Sequence, residues 1–332
     1  MTTRLRELGT SGVEYGLTLL AAVTVNFALP YVAPGDPLRY VVGQAVSDLS
    51  AQQRRQLLST YGLDQPIHVQ YADYLLGVLQ GDLGVSVMHG RPVAVVIAEH
   101  LPATLLLVGI TLALSTFAGT LLGAWSAWHE GQRSDAGLLA LLVAANSTPA
   151  FWVGMLLISV FAFQLGWFPS YGIAAVGGTS GLLATIADRA MHLVLPVVTL
   201  TLARLGGIFL VARGSVLTTT GEDFVRFVRA QGRSERDVLY RHALPNSLLP
   251  IYTRFTLQLG TLVGGAVVVE TVFSYPGLGM LVYDAALARD YPLLQGVFLV
   301  LTVTVIAANV LADLTYPLVD PRASVGGGGP DR

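Results

Sequence analysis

The sequence predicts an all-α polytopic membrane protein: six transmembrane helices, with a small helical segment outside the membrane between the first two. Three observations predict it. Of the 332 residues, 53% are hydrophobic and only 12% are charged, whereas a soluble domain is about a quarter charged. Mean hydropathy is +0.62. Six apolar stretches are long enough to cross ~30 Å of hydrocarbon, which takes roughly 20 helical residues. This composition excludes a disordered chain, a nucleic-acid binder and an ordinary soluble enzyme.

The elements follow in order. Residues 1–33 are a short N-terminus and a first span, Tyr15–Ala33, which is too long for the apolar core of a signal peptide. Residues 34–100 form the extramembrane segment. There Ser50-Ala51-Gln52-Gln53 is a capping box opening a short helix that ends near Gly62. Pro66 can start a second helix carrying Val69, Tyr71, Leu75, Leu76 and Leu79. Residues 101–318 hold five further spans: Leu101–Trp128, Gly137–Leu165, Met191–Val211, Ile251–Val272 and Leu293–Leu318. Pro149 and Pro196 are expected to kink theirs. Residues 319–332 read as a Gly-rich disordered tail.

Arginine placement gives orientation, since basic residues concentrate on the cytoplasmic side. With both termini inside, twelve arginines fall inside and six outside, four of the six within the long segment 34–100. All nineteen basic residues are arginine, and there is no Cys. Without Lys there is no phosphate-loop lysine, so any ATP this protein uses is bound by another chain. The six His residues show no metal spacing, and no nucleophile elbow occurs.

The loop between the fourth and fifth spans, residues 213–250, carries the strongest pattern. Glu222 and Asp223 sit where a helix N-terminus favours negative charge. Phe224, Phe227 and Val228 fall at i, i+3, i+4 spacing and share a face. Gly232 fits a left-handed helix stop. Ser234 then caps a second helix, with Asp237 at the capping-box position and Pro245 ending it. Phe224, Phe227, Val238 and Leu239 need a cover, which suggests a docking element rather than a solvated loop.

This loop resembles the EAA motif of ABC importer permeases. Gly232 is followed at the motif's distance by His242-Ala243-Leu244-Pro245, and Arg226-Phe227-Val228 stands in place of Glu-Ala-Ala. The pattern Asp223-Phe224-Val225-Arg226, Arg229-Ala230, Gly232 and Arg241-His242-Ala243-Leu244, Asn246 is similar to the dipeptide/oligopeptide/nickel branch. Pro34-Gly35-Asp36-Pro37, Tyr61-Gly62-Leu63-Asp64-Gln65-Pro66, Gly81-Asp82-Leu83-Gly84, Thr148-Pro149-Ala150-Phe151-Trp152 and Val269–Gly279 also fit that branch. The likeness covers roughly residues 12–322. It implies the type I ABC importer permease fold and a non-catalytic transport subunit in the inner membrane of a prokaryote. The implied partners are a second permease, two ATPases that hold ATP and magnesium, an extracytoplasmic solute-binding protein and membrane lipid. No cofactor and no metal are implied in this chain.

By the same resemblance the ATPase-coupling residues are Glu222, Asp223, Phe224, Arg226, Phe227, Arg229, Ala230, Gly232, His242, Leu244 and Pro245. Within the spans, Arg204, Gln258 and Glu270 are candidates for the pathway or its gate. Arg204 either meets a peptide carboxylate or pairs with an acidic residue of the partner permease. Glu270 either helps form the outer gate or faces water. Arg254 is expected to snorkel, Asn26, Asn146 and Gln258 to hydrogen-bond between helices, and Gly264-Gly265 to allow close helix packing. Peptides are the expected solute, with nickel or another small solute as the alternative. An ion-coupled secondary transporter would want ionisable residues near the bilayer midplane, and only Arg204 lies near there.

Overall fold

The computed structural model describes residues 2–32, 38, 50–60, 62–175, 177–178 and 181–319; within these, side chains are described from residue 12 to 259 and from 264 to 315. The expected Pro34-Gly35-Asp36-Pro37 stretch and the Gly-rich tail lie outside the described residues, as does Tyr61. All regular structure among the described residues is helical, apart from one isolated bridge between Val85 and Pro92. We number the helices α1 (Thr2–Val32), α2 (Ala51–Thr60), α3 (Ile67–Gln80), α4 (Val93–Trp128), α5 (Arg133–Ser147) and α6 (Ala150–Leu157, continued by a π-helical turn Ile158–Gln164). Then come α7 (Leu182–Thr220), α8 (Asp223–Ala230), and α9, the helical run Glu235–Asp237, Val238–Ala243 and Leu244–Asn246. The last three are α10 (Leu248–Val272), α11 (Leu278–Ala288) and α12 (Tyr291–Val319).

Among the described residues four helices are long and apolar enough to cross a membrane on their own, and counting each bent pair, α5–α6 and the two halves of α10, as one span gives up to six. The span limits differ from the expected ones for physical reasons. The second span begins at Val93, because Pro102 sits inside α4 without interrupting it. The third is two helices crossing at 104°: Pro149 lacks an N–H and takes an extended ψ of 131°, so the chain breaks there rather than kinks. Pro196, by contrast, lies inside the unbroken α7. That helix runs on to Thr220, so residues 213–220 are helix and the loop is shorter than expected.

The chain divides into two compact units. One comprises Met1–Thr104 and Pro276–Ala307. Here Ser50 and Gln53 cap α2 reciprocally: the Ser50 N–H donates to Gln53 Oε1 (2.9 Å) and the Gln53 N–H to Ser50 Oγ (3.3 Å). Helix α3 lies along α1, with Phe27 against the rings of Tyr31, Tyr71 and Tyr74. Buried Asn26 joins α1 to α12 as expected of a polar residue between spans: its Nδ2 donates to the Gln295 carbonyl (2.6 Å), and Gln295 Nε2 donates to its own carbonyl (2.9 Å). Buried Asp290 accepts from Ser86 Oγ (2.6 Å) and from the N–H groups of Met88 and Leu293, tying loop 84–92 to the start of α12.

The other unit comprises Leu105–Tyr275 and Ala308–Arg332. Helix α7 is its axis, packed by α5, α6 and α10. Helix α4 approaches it closely: a Cβ on Gly123 would lie 2.6 Å from Ala212 Cβ and 2.8 Å from the Phe209 carbonyl oxygen. Small residues let helix backbones meet where lipid gives no hydrophobic drive to association. We therefore expect Gly123→Ala to lower the thermal unfolding midpoint in detergent, at a cost of about 1–3 kcal/mol for overpacking. Gly109→Ala, where a Cβ meets nothing within 4 Å, should leave the midpoint unchanged.

Candidate functional site

Helices α8 and α9 form a hairpin at the end of α7. Glu222 occupies the N-cap of α8 with extended backbone, and Asp223 lies in its first turn. Both are exposed, as their charge requires. Gly232 reverses the chain at φ +77°, a left-handed conformation that disfavours any side chain. Ser234 Oγ accepts from the Asp237 N–H at 3.3 Å and caps α9.

The hairpin's apolar residues divide differently from the expected stripe. Val225, Val228 and Val238 are buried, and Trp128 and Phe224 pack against them. Leu239 is buried among Ala124, Ala127 and Val216, with Leu244 alongside. The chain therefore supplies its own cover for Val238 and Leu239, through the end of α4. With Val225 and Val228 turned inward, Phe227 lies roughly 100° or more around the helix from each and is 65% exposed. Phe224 is half-buried, so the shared face expected for Phe224, Phe227 and Val228 is not formed.

Charges order the rim. Arg229 lies 4.9 Å above the Trp128 ring and 3.4 Å from Glu235. Arg226 pairs with Asp223 at 3.5 Å, and Asp237 receives both Arg233 (3.5 Å) and Arg241 (3.3 Å). An open concavity of about 530 Å³ on the turn and α9 is lined by Gly232, Arg233, Ser234, Arg236, Asp237, Tyr240 and Arg241. Ala230 and Pro245 are exposed. His242 is half-buried, and its carbonyl accepts from Asn246 Nδ2 (2.7 Å). Leu244 is wedged between the Leu239 cluster and Ile208, Ala212 and Ile251. The second helix ends at Asn246, one residue past Pro245.

Two polar ties lie at the base of the hairpin, one between the residue that precedes α10 and the end of α7, the other between α7 and α5. Ser247 Oγ bonds Thr219 Oγ1 (2.9 Å), and Ser215 Oγ donates to the Ser247 carbonyl (2.9 Å). Arg213 forks onto Asp135 at 2.8 and 3.0 Å, and Ser126 bonds the same carboxylate. Sequence reasoning missed Trp128, Asp135 and Ser126. An acidic residue at the start of α5 was visible, but its partner lies 78 residues away.

The pathway candidates fall in two places. Arg204 on α7 and Gln258 on α10 come together, Gln258 Nε2 donating to the Arg204 carbonyl at 3.4 Å. Glu270 lies elsewhere, near the end of α10, and does not face water: it is fully buried. The Tyr275 N–H bonds the Glu270 carbonyl (2.8 Å), and the Phe273 carbonyl accepts from the Gly172 N–H (2.9 Å). Burial pushes the phenol of Tyr275 up to about 12, with the Glu270 carboxylate adding to it. Arg254 does not snorkel away. Its guanidinium lies on Gly207, 2.8 Å from where a Cβ would stand. Gly265 makes room for Arg204 rather than for a helix backbone.

Residues 119–325 match the family described as binding-protein-dependent transport system inner membrane component, and residues 9–108 match its N-terminal family. An oligopeptide transport system permease protein of Bacillus subtilis is 36% identical over 92% of this chain and 94% of its own. A di/tripeptide transport system permease protein of Pseudomonas aeruginosa is 37% identical over 93% and 94%. A glutathione transport system permease protein of Salmonella typhi is 36% identical over 92% and 94%. Among solved structures, an inward-facing MetNI methionine ABC transporter superposes with a TM-score of 0.55 at 18% identity, covering 68% of this chain and 96% of that one.

The packing makes Trp128 the seat of the hairpin. Trp128→Ala should speed tryptic cleavage at the arginines of residues 226–241 by roughly tenfold or more, because local opening loses its apolar anchor. Phe227→Ala, which uncovers nothing, should leave the cleavage rate unchanged.

Proposed function

Because the chain belongs to the binding-protein-dependent transport system inner membrane component family, the permease subunits of ABC importers, we propose that it forms half of a translocation pathway for peptides and is driven by ATPase subunits seated on the α8–α9 hairpin. The observation that carries the solute class is the run of peptide-carrying relatives at 36–37% identity across more than nine-tenths of both chains. Support for the coupling role comes from the hairpin. It holds its own core, yet leaves Phe227 exposed inside a charged rim, the arrangement of a helix that presents one apolar anchor to a groove.

In this reading a second permease completes the pathway, two ATPases bind ATP and magnesium beneath it, and a solute-binding protein delivers the peptide from outside. ATP hydrolysis belongs to the partners, in keeping with a chain that has no Lys. Both termini and the hairpin face the cytoplasm, and residues 34–100 face outward, as the arginine distribution favours.

In this Cys-free chain, Gln53→Cys should react with an impermeant thiol reagent in intact cells and Glu235→Cys should not. The reverse pattern would invert the topology. Phe227→Asp should abolish co-purification with the ATPases and solute uptake, removing about 2 kcal/mol or more of contact energy. Gly232→Val should do the same, since its Cβ meets no neighbour and the strain is a left-handed penalty of about 1–2 kcal/mol. Arg236→Ala should have the smaller effect of a rim charge. Normal uptake in both of the first two variants would reduce the hairpin to a topological determinant.

A further inference from the structure

Two arginines sit opposite each other between α7 and α10. A Cβ on Gly265 of α10 would lie 2.6 Å from Arg204 Nη2, and a Cβ on Gly207 of α7 would lie 2.8 Å from Arg254 Nη2. Each guanidinium therefore crosses to a glycine on the other helix, and the two cations act on each other electrostatically. Arg254 Nε is buried without a hydrogen-bond partner, and no ion pair of Arg254 occurs among the described residues. Gln258, itself buried, lies against Arg204.

Two like charges on neighbouring apolar helices are costly, and such groups mark sites that take a counter-charge. The same unit shows how the protein treats an arginine that serves structure: Arg213 is neutralised within the chain, forked onto Asp135 at 2.8 and 3.0 Å. Among the described residues Arg254 has no such partner. Guanidinium forks match a carboxylate in shape and charge, two donors to two oxygens.

We infer that Arg204 and Arg254 form a carboxylate-binding pair that takes the free terminal carboxylate of the solute during its passage. This rests on the peptide-import reading above and adds to it the chemical group that the permease itself recognises. Arg254 is the principal contact, Arg204 completes the positive field, and the two glycines hold space for both side chains. A carboxylate from the neighbouring permease is the other source of the same chemistry.

The test uses the assembled transporter in proteoliposomes with its binding protein. The probes are trialanine and trialanine C-terminal amide, each supplied at saturation of the binding protein. The same binding protein serves every arm, so a change in the acid-to-amide rate ratio reports on the permease. Arg254→Gln and Arg204→Gln should each lower that ratio about tenfold or more, the worth of a hydrogen bond to a charged group, by slowing trialanine and sparing the amide. Arg254→Lys, which keeps the charge, should restore part of the ratio and so separates recognition from a folding defect. An unchanged ratio overturns the inference. Equal slowing of both probes with loss of the second permease on purification also overturns it, and assigns the carboxylate to the neighbouring subunit. Failure of the unmutated transporter to carry either probe removes the peptide reading and this inference with it, whereas carriage with an unchanged ratio removes only the inference.

Discussion

A helix of 39 residues rising 1.5 Å per residue is about 58 Å long, nearly twice the ~30 Å of hydrocarbon a membrane offers. Helix α7 cannot fit within that layer, so one or both of its ends project. The end that matters here carries the α8–α9 hairpin. Along its length α7 is held by the glycine approach of α4 and by α5, α6 and α10. A continuous hydrogen-bonded rod packed this way is stiff along its axis, because close-packed interfaces have few intermediate arrangements. Pro196 removes one backbone hydrogen bond from the rod without breaking it. Pro149, on the neighbouring α5–α6 pair, breaks its element outright.

The hairpin is a part of that rod by packing, not a tether attached to it. Trp128 receives Val225, Val228 and Val238 on its apolar body and Arg229 over its face. Ser247 stitches the start of α10 to Thr219, one residue from the end of α7. Arg213 and Asp135 fasten α7 to α5. With these groups turned inward, Phe227 is the large apolar side chain of α8 left outside, with Tyr240 of α9 less exposed, among exposed charges. That division lets one short element belong to this chain's core while offering a surface to another. Exposed ion pairs such as those of the rim typically contribute little to stability, so the packed groups hold the hairpin in place.

Much of this was legible in the residues. The six apolar stretches, the Ser50–Gln53 box, the Ser234 cap and the left-handed Gly232 all rest on local chemistry, and local chemistry is what a sequence displays. The inward face of α8 was not legible. Eight residues make barely two turns, so Phe224, Phe227 and Val228 fit a stripe as well as Val225 and Val228 do. The choice between them is made by Trp128, about a hundred residues earlier in the chain. The register of two helices decides the rest. Arg254 reads as a snorkelling residue from its place near a span end, until Gly207 is found beneath it. Glu270 reads as an interfacial carboxylate, yet it is fully buried, and the Tyr275 N–H bonds its carbonyl. A 104° break at Pro149 exceeds what a single proline implies, because the packing on either side sets the angle.

With Val225, Val228 and Val238 packed on Trp128, the hairpin is expected to be rigidly part of the α7 rod before any partner binds. Hydrogen–deuterium exchange on the purified chain alone tests this most directly. If the claim holds, the amides of Val225–Ala230 exchange as slowly as those at the end of α7, residues 212–220, because both are protected by one packed unit. Complete exchange of Val225–Ala230 at the earliest time point, with residues 212–220 still protected, would contradict it and make the hairpin a loop that orders only when covered.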